Sequence, residues 1–443
     1  MEAEVSSFLL RHNFNAKIDV DACVQSILYD MDLGLFKKGR KEKSGEDMIR
    51  TWMLPPEKAP KGQKIIVIDA GGTNFRSCLV SFDENGNASI SDFKKTCMPG
   101  VERELSKVEF FNQFADNIDY LKNKADKIGF CFSYPMEITK DGDGITLGFS
   151  KEVKAPEVVG VPVGKTLVSV LESRGWNKIS RITLLNDTVA ALLAGRACAR
   201  NGAEYSSYIG FILGTGMNAA YIQPAAEKNG ESIEKQIVVC ESGKCDKIGR
   251  SDFDLAVDKK TNCPGQFILE KCCSGAYLGK MGFELITTAA KEGLFSDETA
   301  KRVSALQDLT LIEMNMFLHA PFEAGTVADL CADERDRKIV WELFDAAVER
   351  CAGYATAILG ANAVQTGEGK NPLHPVAILC NGTTYAKTYN LRLRVESALY
   401  EYLTKKRGIF YEIVTAENDI TLGIYSETSG WLPMTFVRSA WLM

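Results

Sequence analysis

The sequence predicts an α/β protein of two lobes with a cleft between them, on three observations. A β-branched run, Lys64 to Asp69 (KIIVID), enters a glycine pair and is followed by an alternating apolar run from Phe75 to Phe82. The same strand, glycine turn, strand plan returns at Tyr208 to Leu213 (YIGFIL), Gly214-Thr215-Gly216 and Ala219 to Gln223. A third strand, Val376 to Cys380, enters Asn381-Gly382-Thr383. Short apolar runs bounded by glycine read as buried strands. If the first two units are related copies, the turn at 71–73 and the turn at 214–216 face each other across the cleft.

The remaining elements follow from local pattern. DENGN at 83–87 holds an Asn-Gly pair suited to a tight hairpin, so a third strand follows it. A helix is expected over about 107–124, a strand over Lys127 to Ser133, a helix over about 164–173, and a strand over Arg181 to Leu185 that runs into Asn186-Asp187-Thr188. The second half reads as mainly helical: single helices near 266–289 and 298–318, and a long one near 335–362. In that long helix Val340, Phe344, Ala347, Cys351, Tyr354 and Ile358 recur at three and four spacing and read as core. No low-complexity linker interrupts the chain, which predicts short hinges between the lobes.

With 45% hydrophobic and 25% charged residues in 443, the chain can bury a large core, and that length normally divides into two domains or lobes. The net charge of −6 with scattered basic residues excludes the electrostatic footprint of a nucleic-acid or anionic-membrane partner. No run of about 18 uncharged apolar residues occurs, and the N-terminal residues carry no secretion pattern, so a cytoplasmic protein with small-molecule ligands is expected. The 13 cysteines form no framework and read as reduced core thiols; none of the three histidines pairs with a cysteine or carboxylate at metal-ligand spacing, so no zinc site is expected. Chemistry must rest on carboxylates and backbone.

The sharpest run is Asp69-Ala70-Gly71-Gly72-Thr73-Asn74-Phe75-Arg76. Its glycines let backbone amides approach an anion, Thr73 adds a hydroxyl donor and Arg76 a fixed cation. Asp69 stands where a carboxylate can hold a hydrated magnesium ion that bridges nucleotide phosphates. A glycine pair alone fits an ordinary hairpin; the whole run after a buried strand fits a phosphate cradle. Gly160 to Thr166 (GVPVGKT) imitates a P-loop, but its spacer is one residue short and no long apolar strand precedes it, so it reads as a helix start.

The first run resembles the first phosphate-binding motif of the hexokinase family, within the two-lobed actin-like (ribonuclease H-like) ATPase fold. Leu184 to Ala190 (LLNDTVA) resembles the family segment that carries the catalytic aspartate, and Gly210 to Tyr221 (GFILGTGMNAAY) its second phosphate turn with a sugar-binding asparagine. FCFSYP at 130–135, GFSK at 148–151, CESG at 240–243 and PGQFILEKCCSGAYLG at 264–279 resemble its sugar segments, and Asn381 to Lys387 its adenosine site. The zinc motif of the ROK glucokinases is missing. The resemblance covers about residues 64–415.

It implies that Ser133, Ser150, Lys151, Asn186, Asn218, Glu241 and Glu270 ring a hexose and that Asp187 takes the proton of its 6-hydroxyl. Lys151 would offset charge on the moving phosphoryl group. Asp69, Gly71, Gly72, Thr73, Asn74, Arg76, Gly214, Thr215, Gly216, Gly382, Thr383 and Lys387 would hold ATP, with Mg2+ bound through water at Asp69. The implied reaction is ATP-dependent phosphorylation of D-glucose, or of glucose with mannose and fructose, to hexose 6-phosphate, the first step of glycolysis. The implied lobes are a small one over 63–186, joined by 430–443, and a large one over 1–62 and 187–429. As a bland alternative, Asp187 reads as a helix cap. Two other readings of the chain are a catalytically weak hexose sensor of the same fold and an actin-like or chaperone ATPase without a sugar acceptor. Monomer and homodimer are equally open. Ser150 replaces the usual threonine, Phe149 a tryptophan and Ser242 an aromatic residue, so a looser sugar-pocket wall is expected. The glycine-rich stretch near the family's C-terminus is largely missing from 420–443.

Overall fold

The computed structural model describes residues 2–55, 62–71, 74–84, 88–149, 153–197 and 202–414. Lys64–Gly71, Asn74–Phe82 and Ala88–Cys97 form an antiparallel meander, and Lys127–Phe132 and Arg181–Leu185 extend it in parallel into a five-stranded sheet. A second, six-stranded sheet runs in the order Ile49–Arg50, Gln236–Val239, Met217–Gln223, Ser207–Leu213, Val376–Asn381 and Tyr411–Val414. Its first four strands are antiparallel, and the last two join in parallel. Both sheets thus begin from a hairpin and grow by crossover, the twofold plan that the sequence suggests. The hairpin residues 85–87 lie outside the described residues.

Alternation in the larger sheet sends its two faces to different cores. Ile209, Phe211, Leu213, Ala219, Tyr221, Val238 and Ile378 pack with the helices of the second half. Tyr208, Ala220, Ile222, Ile237, Val239 and Ala377 face the core of the smaller sheet. Period-two burial on both faces is what a sheet covered on both sides requires. The helix Asp187–Ala197 follows the last strand of the smaller sheet, and its Val189, Ala190, Leu192 and Leu193 belong to that same core.

Three expected helices end differently. The segment expected as one helix over 266–289 is two, Ile268–Cys273 and Gly275–Lys291, because Ser274 is extended and the amides of Gly275 and Ala276 bond to Gly214 and Thr215 carbonyls. The segment over 298–318 is also two, Asp297–Ala305 and Leu311–His319, since Thr310 and Glu313 close a capping box that starts the second. The helix expected over 107–124 stops at Ile118 and passes into a short 3-10 turn, Asp119–Leu121. The long helix runs Glu334–Thr366, started by the Asp333 side chain and ended by Gly367 in the left-handed region. Gly160 to Thr166 does open a helix, Val163–Ser173, and the Asp143 carboxylate accepts from the amides of Gly164 and Lys165. An internal carboxylate therefore holds the helix start that imitates a P-loop.

Candidate active site

The glycine run continues strand Lys64–Gly71 into strand Asn74–Phe82, with Asp69 paired to Arg76 and Gly71 to Asn74 across the ladder. Arg76 donates to the Asp69 carboxylate at 2.7 Å, so cation and carboxylate of the cradle are held together. Gly71 is required by its neighbour: a Cβ there would stand 2.8 Å from Ser133 Oγ. The Ser133 amide bonds to the Ala70 carbonyl, which fixes this serine against the first turn. Gly72 and Thr73 lie outside the described residues.

Asp187 is the first residue of its helix, and the cap is Asn186. Its Oδ1 accepts from the Thr188 amide at 2.9 Å and from the Thr188 hydroxyl. Sequence reasoning gave the capping role to Asp187; the side chain two residues before the bonded amide has the geometry an N-cap needs. The helix is seated by glycine contacts. A Cβ on Gly210 would lie 2.2 Å from the Thr188 carbonyl oxygen and 2.6 Å from the Leu192 amide nitrogen, and one on Gly195 would touch Leu379 at 3.1 Å. The helix backbone thus rests directly on strands Ser207–Leu213 and Val376–Asn381, and Asp187 is fixed at the passage from one sheet to the other.

Three more of the expected sugar residues converge. Asn218 donates to Glu241 Oε1 at 2.8 Å, and its Oδ1 accepts from the amides of Ala219 and Ser242, which settles the orientation of the amide. Glu241 itself is in the left-handed region, φ 57°. Glu270 accepts from the Met217 amide at 3.0 Å. Gly216 and Gly243 make room for it, since added Cβ atoms would lie 2.8 and 3.2 Å from its Oε2. Burial pushes the Glu241 carboxyl up to about 7, against the pull of Lys244; Asp47 and the Asp187 charge raise it further. Asp187 and Glu241 therefore sense each other electrostatically. Ser242 is buried beside Glu241. Ser150 and Lys151 lie outside the described residues.

The second turn is a junction of three segments. Gly214 and Gly216 close it through a 2.9 Å backbone bond, the Gly275 amide bonds to the Gly214 carbonyl, and Thr384 Oγ1 donates to the same carbonyl at 2.9 Å. Gly382, at φ 115°, would drive a Cβ to 2.2 Å from the Leu213 carbonyl oxygen. Thr383 and Lys387 are exposed, whereas Thr384 is buried in the junction. Sequence reasoning missed Gly275, Thr384 and Gly210. Gly275 lies in the segment quoted for Glu270, and its role shows only once the turn is seen to pack on it.

Two sheets of the same strand plan, each with a hairpin around a glycine turn and joined through the helix Asp187–Ala197, define the two-lobed actin-like ATPase class. A Schistosoma mansoni hexokinase solved in complex with glucose shares this fold, with a TM-score of 0.72 and 22% identity over 96% of this chain and 98% of that one. A second hexokinase crystal structure gives 0.76 and 18% over 96% and 100%. Two family profiles, each described as hexokinase, match residues 10–197 and 208–427, and the chain belongs to the hexokinase family. Hexokinase-1 of Schizosaccharomyces pombe is 27% identical over 274 residues, 58% of this chain and 55% of that protein. Hexokinase-2 of Candida albicans is 26% identical over 410 residues, 85% and 81%. The match to the hexokinase of Schistosoma mansoni spans 66% of that relative's length.

Proposed function

We propose that the chain is an ATP-dependent hexose kinase that phosphorylates the 6-hydroxyl of D-glucose, with Asp187 as the general base. The observation that carries this reading is the seat of Asp187: Asn186 does the capping, Gly210 fixes the helix, and Asn218, Glu241 and Glu270 gather beside the neighbouring strand. A sugar hydroxyl is a weak nucleophile, so a carboxylate that accepts its proton during attack on the terminal phosphorus lowers the barrier. The ring of Ser133, Ser150, Asn186, Asn218, Glu241 and Glu270 gives hydroxyl-by-hydroxyl pairing of the hexose, and Lys151 offsets charge on the phosphoryl group. Family membership and the glucose named for the Schistosoma mansoni structure support hexose as acceptor.

The phosphates of ATP would meet the turns at 71–74 and 214–216, with Arg76 as cation, and the nucleoside the segment Gly382, Thr383 and Lys387. Asp69 offers the hard oxygen donor that suits magnesium, which when bound screens the phosphate charge. The lobes of this reading are 63–186 with 430–443, and 1–62 with 187–429; the smaller sheet falls inside the first and the larger sheet inside the second. Among the described residues no helix is long and apolar enough to cross a membrane; the reading takes the enzyme as cytoplasmic. An assay of ADP formation with MgATP against glucose, mannose, fructose and N-acetylglucosamine tests it. Hexose-dependent turnover is expected, and ATP hydrolysis indifferent to every sugar would overturn it.

A further inference from the structure

Beneath the turn that carries Glu241 lies a second group of ionisable side chains that phosphoryl transfer does not use. Asp30, Glu46 and Cys245 come from three segments, and a ligand atom of each lies within 4.8 Å of the others. Asp30 and Cys245 are fully buried and Glu46 is 2% exposed. Asp30 is aimed by the amides of Gly45 and Glu46, which donate to its two oxygens at 3.0 and 3.1 Å. Glu46 is different: neither of its buried oxygens meets a well-aligned nitrogen or oxygen donor, and the group that lies against it is the weak thiol donor of Cys245. The nearby ammonium of Lys247 is already shared between Glu42 and Asp246, and that of Lys244 goes to Asp47.

Two carboxylates cannot both stay ionised this close in a low-dielectric interior without a positive charge among them. A thiol is a weak donor, so a buried carboxylate that meets little else keeps most of the desolvation cost that pairing would offset. The group must therefore hold a proton or a cation. Its donor set is two carboxylate oxygens and a sulfur, which selects a borderline cation such as zinc over magnesium. Zinc bonds of about 2.0–2.3 Å set ligand atoms roughly 3.5 Å apart, so small rotamer shifts would draw the three together.

We propose that Asp30, Glu46 and Cys245 form a structural site for a zinc-class divalent cation, separate from the nucleotide magnesium. The cation fastens helix Val20–Leu35, the segment 44–48 and the end of the turn Ser242–Lys244 that follows Glu241. Gly45 already packs against this turn, where a Cβ would lie 2.6 Å from the Lys244 carbonyl oxygen. The sequence led to the opposite expectation, no zinc site, because these ligands are 16 and 199 residues apart and include no histidine.

The test uses the full chain expressed in zinc-supplemented and in cobalt-supplemented medium, then dialysed against a weak chelator. Zinc is read by elemental mass spectrometry, cobalt by its thiolate charge-transfer absorption, and Tm is measured for the same samples. About one equivalent of zinc per chain is expected, with a cobalt-thiolate band and a lower Tm for metal-free protein. Glu46→Gln and Cys245→Ser should each lose the metal, the band and the metal-dependent part of Tm. No retained zinc, together with Glu46→Gln as stable as the parent, would overturn the site and identify Glu46 as a neutral carboxylic acid. Zinc retained equally by both variants would also overturn it, as metal held elsewhere. Should Glu46→Gln fail to fold, Cys245→Ser with the cobalt band decides.

Discussion

At Glu241 a single carboxyl joins fold, charge and the proposed sugar contact. Its pKa of about 7 lies above the ordinary 4.5, because burial disfavours the anion. The native state thus keeps a proton that the unfolded chain releases, so this group's contribution to stability is full below about pH 4.5 and is lost as pH rises to about 7. Sugar binding asks for the opposite form, since the carboxylate is the better acceptor of hydroxyl protons. Glucose affinity is expected to rise with pH through about 7, with proton release on binding, in calorimetric titrations made in buffers of different ionisation enthalpy. Glu241→Gln should weaken binding by roughly 10- to 100-fold, the scale of about 1.5–3 kcal/mol for a hydrogen bond to a charged group, and should flatten the pH dependence. A variant whose affinity keeps the parental pH profile would exclude Glu241 as the titrating ligand. Glu241, Asn218 and Glu270 were legible in the sequence only through the family resemblance. Each alone reads as a turn or surface residue, and their convergence depends on pairings such as Asn218 with Glu241 that span 23 residues.

Among elements, the helix Asp187–Ala197 and the turn at 214–216 are positioned by glycines that let backbone touch backbone. Gly210→Ala would force a methyl into the Thr188 carbonyl. The expected cost is about 1–3 kcal/mol of stability, typical of overpacking, and a fall in kcat exceeding any change in glucose affinity, because Asp187 and its neighbour Asn186 move while Ser133, Asn218, Glu241 and Glu270 lie on other elements. Gly382→Ala meets both the Leu213 carbonyl and an unfavourable φ of 115°. It should raise the KM for ATP with glucose affinity kept, measured by initial rates and by glucose titration of the same protein. Strands were read well from sequence, since 64–71, 127–132, 181–185 and 207–213 are compact apolar runs between turn residues. The errors fell on helices at 266–289 and 298–318. Apolar spacing continues across both breaks, and what ends them is tertiary: the carbonyls of Gly214 and Thr215 capture the amides after Ser274, and the Thr310 capping box restarts a helix. Likewise Asp187 read as a cap because Asn, Asp and Thr are all good capping residues; only the bond from Thr188 to Asn186 decides among them.

For the whole molecule, each sheet would supply part of the proposed site: Asp69, Arg76 and Ser133 from the smaller, Asn218 and Gly214 from the larger, with Asp187 on the element between. Such division predicts that sugar draws the lobes together and excludes water as a competing acceptor. Small-angle scattering should show a smaller radius of gyration at saturating glucose, and an unchanged radius with full occupancy would refute closure. A hexose kinase with Asp187 as base is separated from every other reading by pairing turnover with binding in Asp187→Ala. A kcat lower by roughly 10²–10⁴-fold or more is expected, as for loss of a general base, with glucose still bound and the thermal transition unchanged. Parental turnover in that variant would contradict it.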